Sequence, residues 1–351
     1  MIRIIETVSA FDSLKTEWEC LQEGEEMRIF QTFAWCRLAW EHMLSVDRGN
    51  QLWIVRWWKD GGTDSVIFPF YIDGRGMLRF IMDTHSDVCN AVYQRVGNRH
   101  YCYKEVAEAI LAEPRIRHVW LQKMLGVSEV LHGLGVQLEH SLIYRDNAYS
   151  FIELPQSKDP IAEMHYMSSK DRAVLRSYVR KTEGYTYRCL SKAQGDAFPY
   201  KMIEALRQDM LVHTKRTIGF FEDTLFRFIE AFYETGACEI ALLEDNSSAI
   251  ALSFRLLKGE RSISWVFMYA RPKAVTLLDA RYICQKANVS RVQIDFGVGV
   301  YKYKLGNYRP QPEALFSLRN SKTTLGFIKQ MIGMNWRFTK DFLKVKLGRA
   351  H

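Results

Sequence analysis

Apolar and polar positions along this chain follow two periods, and the order in which they appear is repeated. Residues 2–8 carry the alternation of a strand, after which Phe11, Leu14, Trp18 and Leu21 recur at helical spacing. A second helix is expected over residues 33–44. Residues 52–58 and 65–72 are β-rich runs on either side of Gly61 and Gly62, the pattern of a hairpin. A strand over 77–82 and helices over 101–112 and 128–133 complete the first set. Residues 145–169, with Pro155, Pro160 and several polar side chains, form the expected boundary. The second set runs more clearly: helix 170–182, strand 185–190, helices 198–213 and 222–234, then strands 238–243, 249–257 and 262–269 separated by short polar turns. A helix over 276–288 and a strand over 292–296 close it.

A length of 351 residues is more than twice a typical domain of roughly 150, which fits two packed units of the α/β (α+β) class. The expected divisions are residues 1–150, 151–321 and a terminal helix over 322–351. Glu6 interrupts the apolar start, so no secretory signal is expected, and no apolar run is long enough to span a bilayer. Cys20, Cys36, Cys89, Cys102, Cys189, Cys238 and Cys284 are odd in number and include no C-x-x-C pair, which suits reduced thiols in a cytoplasmic protein. No His or Cys cluster has zinc spacing, so no metal is expected.

The charge of +8 is unevenly spread. From Lys322 to His351 seven bases stand against Asp341 alone, leaving only +2 for all the rest. The basic balance is therefore a property of the terminal segment and says little for nucleic-acid binding by the whole chain. Phe327, Ile328, Met331, Ile332, Phe338, Phe342 and Val345 recur there at helical spacing. Such a helix docks on its own protein or lies on an anionic membrane, here the inner face of a bacterial inner membrane.

Five segments carry a resemblance to a known family. They are Phe30-Gln-Thr-Phe-Ala-Trp35, Ile67-Phe-Pro-Phe-Tyr71, residues 78–87 ending in Ser86-Asp87, the basic run 169–184 with Leu211-Val-His-Thr-Lys-Arg216, and Ile294-Asp-Phe-Gly-Val-Gly-Val-Tyr-Lys-Tyr-Lys-Leu-Gly306. In this order they resemble the tandem-GNAT (N-acetyltransferase-like) bacterial acyltransferases related to the cellulose-biosynthesis protein CelD, and more distantly the FemABX aminoacyltransferases. The resemblance implies two GNAT-like domains, each a mixed, mostly antiparallel twisted sheet flanked by helices, with the chemistry in the second. It also implies transfer of an acyl group, acetyl first among them, from acyl-CoA to an amino or hydroxyl group of a sugar, a lipid precursor or another small molecule. Two positions depart from the family: Thr217 replaces a usual Trp, and Ala270-Arg-Pro-Lys-Ala-Val-Thr276 has no glycine where relatives carry a Gly-rich phosphate-binding turn. There the charges of Arg271 and Lys273 stand in for backbone donors toward the CoA phosphates.

Acyl transfer needs a proton acceptor, donors for an oxyanion and an acid for the leaving group. Asp295, near the end of an apolar strand, is the expected base or acceptor-orienting carboxylate; the plain alternative is a loop cap. Tyr301, Lys302, Tyr303 and Lys304 alternate phenol and ammonium, with Lys304 suited to an oxyanion or phosphate; the alternative is a solvated face. His213 and Arg216 share one helix face, suited to proton transfer and to an anionic acceptor, or are structural. Arg172, Arg176 and Arg180 form a basic stripe that faces an anionic substrate or only water. Trp35 and Asp87 read as packing and turn residues. The expectation is that Asp295, His213, Arg216, Tyr303 and Lys304 line one pocket open to solvent. Two other functions compete: FemABX-like transfer from aminoacyl-tRNA, and a non-catalytic part in polysaccharide or lipid assembly.

Overall fold

The structure, a computed structural model, describes residues 1–24, 26–59, 61, 64–94, 99–213, 222–298, 308–329 and 331–332, with the side chain of His213 outside the description. The first half consists of β1 (Ile2–Ile5), α1 (Val8–Asp12), α2 (Lys15–Leu21), α3 (Phe33–Ala39), β2 (Gln51–Leu52), β3 (Ile54–Trp58), β4 (Ser65–Phe68), β5 (Phe70–Ile72), β6 (Met77–Phe80), α4 (His100–Ala112), β7 (His118–Leu125), α5 (Glu129–Gln137) and β8 (Ser141–Leu154). The second consists of α6 (Pro160–Glu163), α7 (Ser169–Lys181), β9 (Thr186–Ser191), α8 (Tyr200–His213), α9 (Asp223–Glu234), β10 (Cys238–Asp245), β11 (Ser248–Lys258), β12 (Arg261–Tyr269), α10 (Pro272–Val289), β13 (Val292–Val298) and β14 (Gln311–Ser321).

Local chemistry accounts for several of these boundaries. Ser128 and Ser168 accept backbone N–H groups from the first turns of α5 and α7, which fixes where those helices begin. Pro272 stands at the first turn of α10, where its missing N–H costs nothing and its φ is already helical. The helix therefore starts a turn earlier than its apolar pattern suggests. Cys238 to Leu243 of β10 are buried, the unbroken run of a strand covered on both faces.

Mixed sheets flanked by helices are present as expected, but the halves do not keep separate sheets. Eleven strands run in the order β2-β5-β6-β7-β14-β8-β13-β12-β11-β10-β9, beside a three-stranded sheet β1-β3-β4. Two of the described pairings are parallel, β6 with β7 and β12 with β13, and each is bridged by a crossover helix, α4 or α10. At the centre the halves exchange strands. β7 pairs with β14 from the second half, β13 pairs with β8 from the first, and β8 pairs with β14 over ten residue pairs from Gln311↔Phe151 to Asn320↔Ser141. The expected boundary at 150/151 thus lies inside β8, and the segment expected to be a linker is strand as far as Leu154.

The apolar core crosses the same junction. Trp35 is fully buried, with Phe30, Phe228, Phe232 and Trp265 at 4.9 to 5.3 Å between ring centroids, so aromatic rings of both halves close on one indole. A second core lies between α6, α7 and α10 and the opposite face of β13, where Ile294 and Phe296 point.

Candidate functional site

Parallel pairing of β12 with β13 stops early. It holds at Arg261↔Gln293, Ser262↔Ile294 and Ile263↔Asp295, yet β12 continues to Tyr269 and β13 to Val298 without pairing further. Beyond Asp295 the two strands splay, opening a cleft in the middle of the sheet. Irregularities on both strands create it. On β12, Ser264 faces Arg255 and Val266 faces Phe254, so Trp265 is the extra residue of a bulge. On β13, Asp295 faces Phe151 and Gly297 faces Ser150, so Phe296 is extra; Gly297 has φ +76°, in the left-handed region that favours glycine.

The first half contributes a wall of this cleft. Trp265 Nε1 donates to the His85 carbonyl at 2.8 Å, and Trp35 Nε1 donates to Ser86 Oγ at 3.1 Å. The Lys123 ammonium donates to the carbonyls of Asp83 and Ser86 at 2.8 and 2.7 Å, which gathers the turn between them. Asp87 then accepts the N–H of Val298 at 3.3 Å, beside Gly297. A Cβ at Gly297 would run into the Asp87 carboxylate, whose Cγ lies 3.0 Å from that position. His85 is neutral at pH 7, its pKa pushed down to about 4 by burial and by the Lys123 cation. Asp87, expected to be a turn residue, is a link between the halves at the cleft.

Asp295 lies at the apex of the splay, and one expectation about it is corrected. Its side chain is 0% exposed, so it does not open to solvent in this arrangement. Gln293 Nε2 donates to its Oδ1 at 2.6 Å, while Oδ2 faces Arg261 Nη1 at 3.9 Å, and among the described residues neither of these two atoms has a hydrogen-bond partner. Burial pushes the Asp295 carboxyl above the usual range, opposed by the Tyr149 hydroxyl and the guanidinium groups of Arg261 and Arg28. Arg261 is lowered by its own burial and by Arg28. Sequence reasoning missed Tyr149, Arg28 and Arg261, because three distant segments bring them together.

Beneath the cleft, on the α10 face, the fully buried Arg255 donates to Ser264 and to Asp279 and stacks over the Tyr282 ring at 4.2 Å. This pair ties the bulged part of β12 to α10.

The remaining expected residues divide into three groups. Arg271 and Lys273 stand exposed at the start of α10, where β12 ends; Arg271 reaches Asp245 at 3.4 Å, and Lys273 has no partner among the described residues. Arg176 and Arg180 are exposed on α7, which packs against α10 on the sheet face opposite Asp295. They are not brought together with it. Arg176 is paired with Asp159 at 2.9 Å, and Arg172 with the carbonyls of Met164 and Met167. Arg216, Tyr301, Lys302, Tyr303 and Lys304 lie outside the described residues, as does the side chain of His213. The end of α8 that carries His213 does pack toward the splay: Met210 Sδ accepts the Tyr269 N–H at 3.4 Å. Among the described residues no cluster of His, Cys, Asp and Glu is arranged to hold a metal, and no helix is long and apolar enough to cross a membrane.

No family model and no curated protein matches this chain. Solved structures do. The C-terminal domain of an Agrobacterium fabrum protein described as a lysylphosphatidylglycerol synthetase matches with a TM-score of 0.56 at 10% identity, covering 93% of this chain and 95% of that one. FemX matches with a TM-score of 0.51 at 11% identity over 90% and 96%. A tandem GNAT protein from the clavulanic acid biosynthesis pathway matches with a TM-score of 0.50 at 10% identity over 92% and 99%. At these identities the likeness is one of fold: the chain has the tandem GNAT-like fold.

Proposed function

We propose that this chain is a GNAT-fold acyltransferase that moves an acyl group from acyl-CoA to an amino or hydroxyl group of a sugar, a lipid precursor or another small molecule. The observation that carries this reading is the splay of β12 and β13. The backbone groups of residues 264–268 that turn away from β11 lie along a cleft edge with no β13 partner, which suits an extended ligand bearing amides, as the pantetheine arm of CoA does. The start of α10 lies at the end of that edge, and the exposed Arg271 and Lys273 there suit the CoA phosphates. In the transfer the acceptor's nitrogen or oxygen bonds to the acyl carbon, the carbon–sulfur bond breaks, and the acceptor's proton passes through the site to the leaving thiolate. His213, Tyr303 and Lys304 are the proposed proton-transfer and oxyanion groups. Buried as it is, Asp295 does not contact the acceptor.

The test is a thermal-shift titration with acetyl-CoA, longer acyl-CoAs, CoA and tRNA. Stabilisation by an acyl-CoA, lost in the Lys273→Glu variant, supports the reading; stabilisation by tRNA alone replaces it. That second outcome corresponds to aminoacyl transfer, which the glycine-free start of α10 and the FemX-like fold favour. Leu325, Ile328, Met331 and Ile332 are exposed rather than docked, although Phe327 sits against the His140 ring at 5.8 Å. With the terminal excess of bases, they support peripheral contact of this segment with an anionic membrane, which would bring a lipid-linked acceptor to the cleft.

A further inference from the structure

The bulge on β12 decides what stands at the apex of the cleft. Ser264 pairs with Arg255 and Val266 with Phe254, and the extra residue between them, Trp265, packs into the same aromatic core as Val266 and Met268. The indole is fixed there on three sides. Its Nε1 donates to the His85 carbonyl at 2.8 Å, and its ring meets Trp35 at 5.2 Å and Phe228 at 6.0 Å, both edge to face. Trp35, Phe228 and Phe232 are at most 1% exposed, whereas Trp265 is half-buried, so it is the ring of this cluster that meets the open side.

The other face of the apex is closed by polar groups. Ser264 lies on the α10 side, where the fully buried Arg255 is held by Ser264, Asp279 and the Tyr282 ring. An apolar chain pushed into that network would strip a buried charge of its partners, at a high cost. The start of α10, with Arg271 and Lys273, lies at the opposite end of the cleft edge, about 17 Å from Trp265 along the five strand residues that separate them. On the reading of the cleft given above, a CoA whose phosphates sit at α10 directs its thioester toward the apex, and the acyl group then points at Trp265.

We propose that Trp265 sets the length of the acyl group and that the donor is a short-chain acyl-CoA, acetyl-CoA first among them. The inference rests on the cleft being an acyl-CoA site and names the donor class within it. An acetyl group adds a single methyl beyond the thioester carbon. Each further methylene presses on a ring that cannot turn aside without losing its bond to His85 and its contacts with Trp35 and Phe228. Removing the indole opens an apolar pocket against Trp35 and Phe228, in which every buried CH2 strengthens binding about fourfold.

Isothermal titration of the full chain with CoA, acetyl-CoA, butanoyl-CoA and octanoyl-CoA tests this. The wild-type chain binds octanoyl-CoA about tenfold or more weakly than acetyl-CoA. Trp265→Ala binds octanoyl-CoA about tenfold or more tightly than the wild type does, with little change for acetyl-CoA, and Trp265→Leu, which leaves a smaller void in the core, shifts the preference in the same direction. The proposal is overturned if the wild-type chain binds octanoyl-CoA as tightly as acetyl-CoA, or if either variant folds and keeps the wild-type order of affinities. Binding that does not depend on chain length overturns this inference alone. Absence of binding by CoA and by every acyl-CoA overturns the reading of the cleft and this inference with it.

Discussion

Replacing Gly297 by Ala strains the cleft at its hinge in two separable ways. The backbone there has φ +76°, which costs a residue with a Cβ roughly 1–2 kcal/mol. The new methyl also runs into the Asp87 carboxylate, so Asp87 must shift and its hydrogen bond from Val298 N–H is lost. A bond to a charged acceptor contributes about 1.5–3 kcal/mol, and the low end applies to this half-buried one at 3.3 Å. The expected destabilisation is therefore about 3 kcal/mol, read as a fall in the urea midpoint with an unchanged slope. A double-mutant cycle separates the two terms. In an Asp87→Ala background the clash is gone, and Gly297→Ala should cost only the backbone share, about 1–2 kcal/mol. If Gly297→Ala costs less than about 0.5 kcal/mol, or the same in both backgrounds, the link between the halves at the cleft is not as described.

Four other outcomes follow from the same structure. Arg255→Met leaves Asp279 buried without its partner and should destabilise by about 3–5 kcal/mol, part of which returns in Arg255→Met/Asp279→Leu; chemical denaturation of the three proteins checks this. His85 has a folded pKa of about 4, below its unfolded value of about 6.5, so the unfolded chain binds that proton first. Its share of stability is full above about pH 6.5 and is lost as pH falls toward 4, and His85→Gln should remove that slope from urea midpoints measured at pH 7.5 and 5. Burial holds the Asp295 carboxyl above its unfolded value of about 4, so its share of stability is full below that pH and is lost as pH rises toward the folded value; Asp295→Asn should remove this slope from urea midpoints, and an unchanged slope would show that burial does not perturb the carboxyl. Deleting residues 324–351 should abolish sedimentation with anionic vesicles while preserving soluble yield; collapse of the yield would mean that the segment packs on the protein instead.

Much of the second half was legible in the sequence because its elements carry strong local signals. The runs of β10, β11 and β12 are long, apolar and separated by polar turns, and α8, α9 and α10 show helical spacing, so each was expected within a few residues of where it lies. The strands that went unrecognised are β7, β8 and β14, and these are the ones that meet at the exchange. Their partners lie far away in sequence: Phe151 opposite Gln311, Trp120 opposite Arg319. In β8 the half-buried alternation of Ser141 to Ala148 includes Arg145, Asp146 and Asn147, which resembles a polar linker until β14 is set beside it. The site divides in the same way. Asp295 stood out by its motif, but its neighbours Tyr149, Arg28 and Arg261 are joined to it by no local pattern. Asp87 looked like a turn residue because its partner, the N–H of Val298, belongs to the other half.

The central claim is that the splay of β12 and β13 accepts an acyl-CoA. Its most direct test is the shift in unfolding free energy on titration with acyl-CoAs of increasing chain length. A ligand at 100 times its Kd adds about 2.7 kcal/mol. The account predicts such a rise for at least one acyl-CoA, and its loss when Lys273 is replaced by Glu. No rise with any acyl-CoA, or an equal rise in the Lys273→Glu protein, would contradict it.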